Sequence, residues 1–270
     1  MPITRREAVA LLERHGVSPS RALGQNFLVD PNTVRKIVRL ARVGPGDPVV
    51  EIGAGLGALT VELAATGAEV VAVEIDRHLL PALREVVEPH GVTVVEGDAL
   101  TLDWASLLAG HDRWALVANL PYNVATPLVC DLLDEVPAIG RMLVMVQREV
   151  GERLAAGPGD AAYGIPSVKV AYWATAEIVG RVPPTVFLPQ PKVESALVAI
   201  ARRPAPAVSA DPDRLFTLVR TAFGQRRKML RRSLAGVVAS EQFERAGIRP
   251  EARPEELGIV EWGALTDALA

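Results

Sequence analysis

A chain of 270 residues, 49% hydrophobic and 23% charged, is long enough for one large core plus a small second domain, and this balance excludes an intrinsically disordered protein. The single cysteine, Cys130, excludes an intramolecular disulfide and fits a reducing compartment, while four histidines (His15, His78, His90, His111) without ligand spacing leave no readable metal site. The net charge of −3 hides an asymmetry: residues 214–240 hold seven cations and no acid, so the rest of the chain carries −10.

In chain order, MPITRREAVALLERHG predicts an amphipathic helix whose charges exclude a signal peptide, and no later apolar run is long enough to span a membrane. A soluble cytoplasmic protein is expected. A turn-rich lead-in, GVSPSRALGQNFLVDP, precedes a helical stretch, PNTVRKIVRLARVG. Apolar runs then alternate with helical spacing: PVVEIGAG (48–55), EVVAVEID (69–76), VTVVEGDA (92–99), WALVANLP (114–121) and RMLVMVQ (141–147). That alternation predicts an α/β fold, a Rossmann-like and mostly parallel sheet buried on both faces. VKVAYWATAEIVGRV and ESALVAIARR read as strands joined without a helix, hence an antiparallel edge. RRPAPAVSADPD (202–213) reads as a linker, so the expected domains are 1–205 and a small C-terminal α-helical domain, 206–270. In the latter, Phe216, Val219, Phe223, Leu230 and Leu234 suggest an inward face, with Gly224 a point where the helix breaks. Arg220, Arg226, Arg227, Lys228, Arg231 and Arg232 then face outward as candidates for RNA phosphate contacts; a merely solvated charged face is the competing reading.

The chemistry gathers at the strand ends. Gly53, Gly55 and Ala58 satisfy G-x-G-x-x-G/A, and Glu74 follows 21 residues after Gly53. Alone, this fits NAD as well as S-adenosylmethionine. Consecutive strands, however, finish in Gly53, Glu74, Asp98 and Asn119, and ligands bind outside the carboxyl ends of such strands. Glu74 suits ribose hydroxyls and Asp98 an adenine amino group, although Asp98 also suits a helix cap. In NLPYN (119–123), Pro121 keeps Leu120 extended, so its carbonyl and the Asn119 side-chain oxygen can converge on one amino group. Tyr122 offers a flat face to a flipped-out base, whereas an Asx-turn is the plainer account of the stretch.

NLPY resembles the motif of S-adenosylmethionine-dependent enzymes that methylate adenine N6. With LGQNFL (23–28), EIGAGLGALT (51–60), EID (74–76), GDAL (97–100), FLPQPKVESALV (187–198) and QRRKMLRRSL (225–234), the chain resembles the small-subunit (16S) rRNA adenine N6,N6-dimethyltransferase family, the kasugamycin-sensitivity methyltransferases, over nearly its whole length. The resemblance implies an S-adenosylmethionine methyltransferase sheet carrying a helical RNA-binding domain. It implies that Asn26, Leu28, Gly53, Glu74, Asp98 and Asn119 bind S-adenosyl-L-methionine, with Gln25, Gly55, Ile75 and Ala99 from the same motifs, and that S-adenosyl-L-homocysteine is the product, without a metal. Phe187 would pack on the target base; a buried core residue is the alternative. The family dimethylates two adjacent adenines in the loop of the last helix of small-subunit rRNA and is linked to subunit maturation. The implied partner is therefore that rRNA, in a subunit or its precursor, and a monomer is expected. Direct transfer needs alignment more than acid–base chemistry, and no general base is evident. Pro166, Lys169, Met229 and Arg21 depart from the family pattern. Competing readings are a large-subunit resistance methyltransferase, a non-catalytic assembly or transcription factor, and a nicotinamide oxidoreductase, which would leave NLPYN unexplained.

Overall fold

Nine strands form in chain order in a computed structural model describing residues 3–269: β1 Phe27–Leu28, β2 Pro48–Ile52, β3 Glu69–Glu74, β4 Thr93–Glu96, β5 Trp114–Asn119, β6 Ile139–Gln147, β7 Ala174–Val182, β8 Phe187–Leu188 and β9 Ser195–Arg202. Seven make one sheet in the order β4-β3-β2-β5-β6-β9-β7, and β1 pairs with β8 in a short antiparallel ribbon. β2 is parallel to β3 and β5, β3 to β4, and β5 to β6, whereas β9 runs antiparallel to β6. The expected parallel sheet with an antiparallel edge is what forms.

The runs are apolar throughout because both faces are covered. Val49, Val70, Ala72, Ala115, Val117 and Met145 share a core with helices Arg5–His15, Pro31–Ala41, Ala58–Ala64 and Leu80–Val87. The alternate residues Val50, Ile52, Leu116, Ala118, Met142 and Val144 are buried as well. Each buried Val, Ile, Leu or Met among them contributes about 1.5–3 kcal/mol by leaving water, and each alanine less. Arg5–His15 starts at a Thr4/Glu7 capping box and stops at left-handed Gly16; Pro31–Ala41 starts at Asp30, whose carboxylate accepts from Thr33 N–H at 2.7 Å.

The chain separates into two compact units, one reaching Gly151 and resuming over Glu177–Ala201, the other Glu152–Ala176 with Arg202 onward. The expected division at 205 therefore needs correcting: Glu152–Ala176 belongs with the C-terminal helices. In that second unit Tyr163, Val168, Tyr172, Leu215, Phe216 and Trp262 share a core, with the Tyr163 hydroxyl donating to the Leu257 carbonyl (2.8 Å) and Tyr172 to Ala210 (3.0 Å).

Ile165–Trp173 is a helix where VKVAYW suggested a strand. Pro166 occupies its first turn, where no N–H is needed. Ser167 Oγ accepts from Gly164 N–H at 3.0 Å and donates to the Arg153 carbonyl at 2.6 Å. Lys169 Nζ lies 5.6 Å from the centre of the Phe216 ring, so even the one charged residue of the segment is packed. A helix covered on most sides loses its 3.6-residue polar signature, and the alternation in the sequence then imitates a strand.

Candidate active site

The strand order reverses between β2 and β5, which places a crevice outside their carboxyl ends. Gly53 follows β2 and Gly55 comes two residues later, at φ 73° and 58°. A Cβ on Gly55 would lie 3.0 Å from the Phe27 ring, so the tight contact and the left-handed backbone together favour glycine there. Its N–H donates to Glu74 Oε2 at 2.8 Å, and Asp76 N–H donates to Oε1 at 2.9 Å. Glu74, the last residue of β3, is thereby held on the wall of the cleft with a lone pair left on each oxygen. Burial pushes its pKa up, and the two backbone donors oppose the rise.

The lead-in is tied down across this crevice. Gln25 Nε2 donates to Asp76 Oδ2 at 2.7 Å, and its Oε1 accepts from Ser20 N–H at 2.7 Å. Each end of the amide makes one bond that ties the loop down, and Gln25 also lines the cleft, with an N–H and a lone pair left over. Asn26 donates from Nδ2 to the Gly24 carbonyl, and its own carbonyl accepts from Asn119 Nδ2 at 3.0 Å. A carbonyl can only accept, so the Asn119 nitrogen must face Asn26 and its Oδ1 is left free for the cleft. Leu28 is set by pairing with Phe187 in the ribbon, which Arg5 clamps by donating to the Phe187 (2.7 Å) and Thr185 (3.1 Å) carbonyls.

Two adjoining hollows of about 780 and 620 Å³, both open to solvent, make up the cleft. Asn26, Leu28, Gly55, Glu74, Asn119 and Tyr122 line the first; Asp98 and Ala99 line the second; Gly53, Ile75 and Pro121 line both. Ile75 and Leu100, 48% and 45% exposed, present apolar surface to the second hollow, a surface suited to a flat apolar ligand. Asp98 Oδ1 accepts from Leu100 N–H at 3.0 Å, so it does cap the following turn; its other oxygen has no partner among the described residues and can serve the cleft. Capping and binding are compatible here.

At the other end, Leu120 N–H donates to the Met145 carbonyl, while the Leu120 carbonyl accepts from no donor among the described residues. The Tyr122 hydroxyl lies 3.0 Å from Ser195 Oγ, and burial raises the phenol above its usual pKa. Phe187, expected to pack on a base, is fully buried in the core and lines neither hollow. Stacking on a base would require the β1–β8 ribbon to part, so here Phe187 is the core residue of the alternative reading.

Residues 18–269 match the ribosomal RNA adenine dimethylase family. The chain belongs to that family. It is 45% identical over 270 residues to the ribosomal RNA small subunit methyltransferase A of Kineococcus radiotolerans (97% of this chain, 90% of that protein), and 46% identical over 276 residues to that of Thermobifida fusca (98% and 95%). Its fold is similar to the crystal structures of a dimethyladenosine transferase from Plasmodium falciparum (TM-score 0.76, 25% identity, 88% of this chain and 95% of that one) and of the 23S rRNA methyltransferase ErmE (0.68, 27%, 90% and 99%).

Sequence reasoning missed Leu23, Leu100 and Glu51, which line this adenine dimethylase cleft, and Ser195, which lies behind its Tyr122. Leu23 and Leu100 sit in the same motifs as Gln25 and Asp98, Glu51 lies within a strand, and Ser195 comes from a distant segment. Glu51 is 2% exposed, with one carboxyl oxygen unpartnered among the described residues and its pKa raised to about 8. Burial is the main cause. The neighbouring Thr60 hydroxyl opposes it without meeting hydrogen-bond geometry, and the Glu74 charge adds to it. An acid inside an apolar run was the available signal.

In the second unit, Gly224 ends the helix Pro212–Phe223, as its position suggested. Leu215, Phe216, Leu218, Val219 and Ala222 turn inward. The six candidate cations separate. Arg226 is committed to Glu255 (3.3 Å) and the Ala161 carbonyl, and Arg231 to Glu251 (3.0 Å) and the Met229 sulfur. Arg220 reaches only Thr217 of its own helix, and Arg227, Lys228 and Arg232 are exposed without a partner among the described residues. Those four remain the candidates for phosphate. No group of three metal-ligating side chains occurs among the described residues, and no helix there is long and apolar enough to cross a membrane.

Proposed function

We propose that this adenine dimethylase transfers methyl groups from S-adenosyl-L-methionine to N6 of two adjacent adenines in the loop of the last helix of small-subunit rRNA, acting as a cytoplasmic monomer during subunit maturation. The observation that carries the chemistry is the pair of acceptors beside the cleft: Asn119 Oδ1, turned outward because Nδ2 is held by Asn26, and the unengaged Leu120 carbonyl. The residues fit the cofactor. Glu74 suits the ribose hydroxyls, Ile75 and Leu100 the faces of its adenine, and the free Asp98 oxygen the adenine amino group. Bound there, S-adenosyl-L-methionine supplies a methyl group already activated on a sulfonium and departs as S-adenosyl-L-homocysteine.

Asn119 and Leu120 accept the two N–H groups of the target amine. This favours a pyramidal nitrogen, whose lone pair is withdrawn from the ring and directed outward. Tyr122 supports the face of the base. Neither an amide nor a peptide carbonyl is basic enough to keep the proton that nitrogen sheds, so it passes to water. Alignment is the main contribution, worth up to about 7–11 kcal/mol in well-oriented systems.

Small-subunit rRNA is favoured over large-subunit rRNA by the names of the relatives at 45–46% identity; the fold alone does not separate the two, since it also resembles a 23S rRNA methyltransferase. The test incubates small and large subunits from cells lacking the enzyme with labelled S-adenosyl-L-methionine and maps methylated adenosines by mass spectrometry. Dimethyladenosine at two adjacent positions in small-subunit rRNA alone is expected. Label confined to large-subunit rRNA makes it a resistance enzyme, and no label despite cofactor binding makes it a factor without turnover.

A further inference from the structure

Ser195 has no role in the chemistry described so far, yet it is fully buried against Tyr122, which lines the cleft. It opens β9 opposite Gln147, the last residue of β6. Because β9 is antiparallel, its first residue arrives at the end of the sheet where the parallel strands finish. There Ser195 Oγ meets the Tyr122 hydroxyl at 3.0 Å, and neither oxygen has another partner among the described residues. A tyrosine ring has one soft torsion beyond χ1; a hydrogen bond from its far end to a buried hydroxyl fixes χ1 and so where the ring sits, and because a phenol prefers its hydrogen bond near the ring plane, the same bond biases χ2. The half-buried ring keeps the rest of its surface on the cleft wall beside Asn119 and Leu120.

We infer that Ser195 is a positioning residue for the methyl acceptor: by anchoring the Tyr122 hydroxyl it holds the ring where the adenine lies and biases its tilt, and so the direction of N6. This deepens the proposed function and rests on it. The consequence differs between the two methylations. An unmethylated amine offers two N–H groups to Asn119 and Leu120, but a monomethylated one offers a single N–H, so its alignment depends more on the stacking plane. Loosening Tyr122 therefore slows the second transfer more than the first.

The test compares wild type, Ser195→Ala, Tyr122→Phe and the double variant on small subunits, measuring kcat, KM for the subunit, cofactor affinity, and the ratio of mono- to dimethyladenosine at equal conversion. Expected for both single variants are a kcat lower by roughly ten- to a hundredfold, cofactor affinity within about twofold, and a ratio raised several-fold. The double variant should be no worse than the poorer single one, since both remove the same bond. Partial unfolding of Ser195→Ala would lower the amount of active enzyme without changing the ratio, and Tyr122→Phe removes only an oxygen from a half-buried ring. Unchanged ratios in both single variants of an active wild type overturn the role of Ser195. A wild type that methylates no rRNA overturns the underlying reading instead, and this inference with it.

Discussion

Glu51 should make the protein lose stability as pH rises through neutrality, and Glu51→Gln should abolish that loss. A carboxyl whose pKa is raised from 4.5 to about 8 by burial binds its proton more tightly folded than unfolded. Its favourable contribution is complete below the unfolded value and is lost progressively as pH climbs through the folded one. At about 1.4 kcal/mol per pKa unit, the loss approaches about 5 kcal/mol above pH 8 and about 3 kcal/mol at pH 7. Glutamine has the shape of the neutral acid and does not titrate. Without cofactor, the variant should match wild type near pH 5 and melt roughly 10 °C higher at pH 8.5, at a few degrees per kcal/mol for a protein of this size. Urea denaturation at pH 5 to 9 measures the difference directly and cancels the titrating groups that do not interact with Glu51; Glu74, whose charge does, leaves a smaller coupling in the difference. Parallel curves for the two proteins would refute the reasoning, because Glu51 would then be ionised throughout.

The cleft and the basic surface carry three further expectations. Asn119→Ala should lower kcat by roughly a hundredfold or more, by removing an acceptor that aligns the amine, while the melting temperature moves by only a few degrees; wild-type turnover would sink the mechanism. Asp98→Ala should weaken cofactor binding and also cost about 0.5–1.5 kcal/mol of stability through the lost turn hydrogen bond from Leu100 N–H. Asp98→Asn keeps an acceptor for that bond, so calorimetry should show weakened binding with stability retained. Removing Arg227, Lys228 or Arg232 should reduce the salt dependence of rRNA binding by about 0.7–0.9 per lost phosphate contact, whereas Arg226→Ala should leave that slope alone and lower thermal stability through Glu255 and Ala161.

Much of the site was legible because it is written along single strands. Apolar runs buried on both faces announce parallel strands, and the residue closing each run lies at the carboxyl end of its strand. Gly53, Glu74, Asp98 and Asn119 therefore reach one crevice whatever the details of packing. The motif order likewise identified the family. Partners distant in sequence were not legible. Asn119 is oriented by Asn26, 93 residues away, and Tyr122 is anchored by Ser195, 73 residues away; a hydrogen bond across the sheet leaves no periodic trace in either segment. Phe187 reads equally well as a stacking ring or a core residue until the ribbon with Leu28 closes over it. Arg226 and Arg231 look like their free neighbours until Glu255 and Glu251 fold against them. Local pattern thus determined the parallel strands, their order and which residues close them, because burial and backbone geometry act residue by residue, while the buried helix Ile165–Trp173 escaped it. Which polar groups are consumed in holding the protein together, and which remain for a ligand, was decided only when the chain brought remote segments into contact.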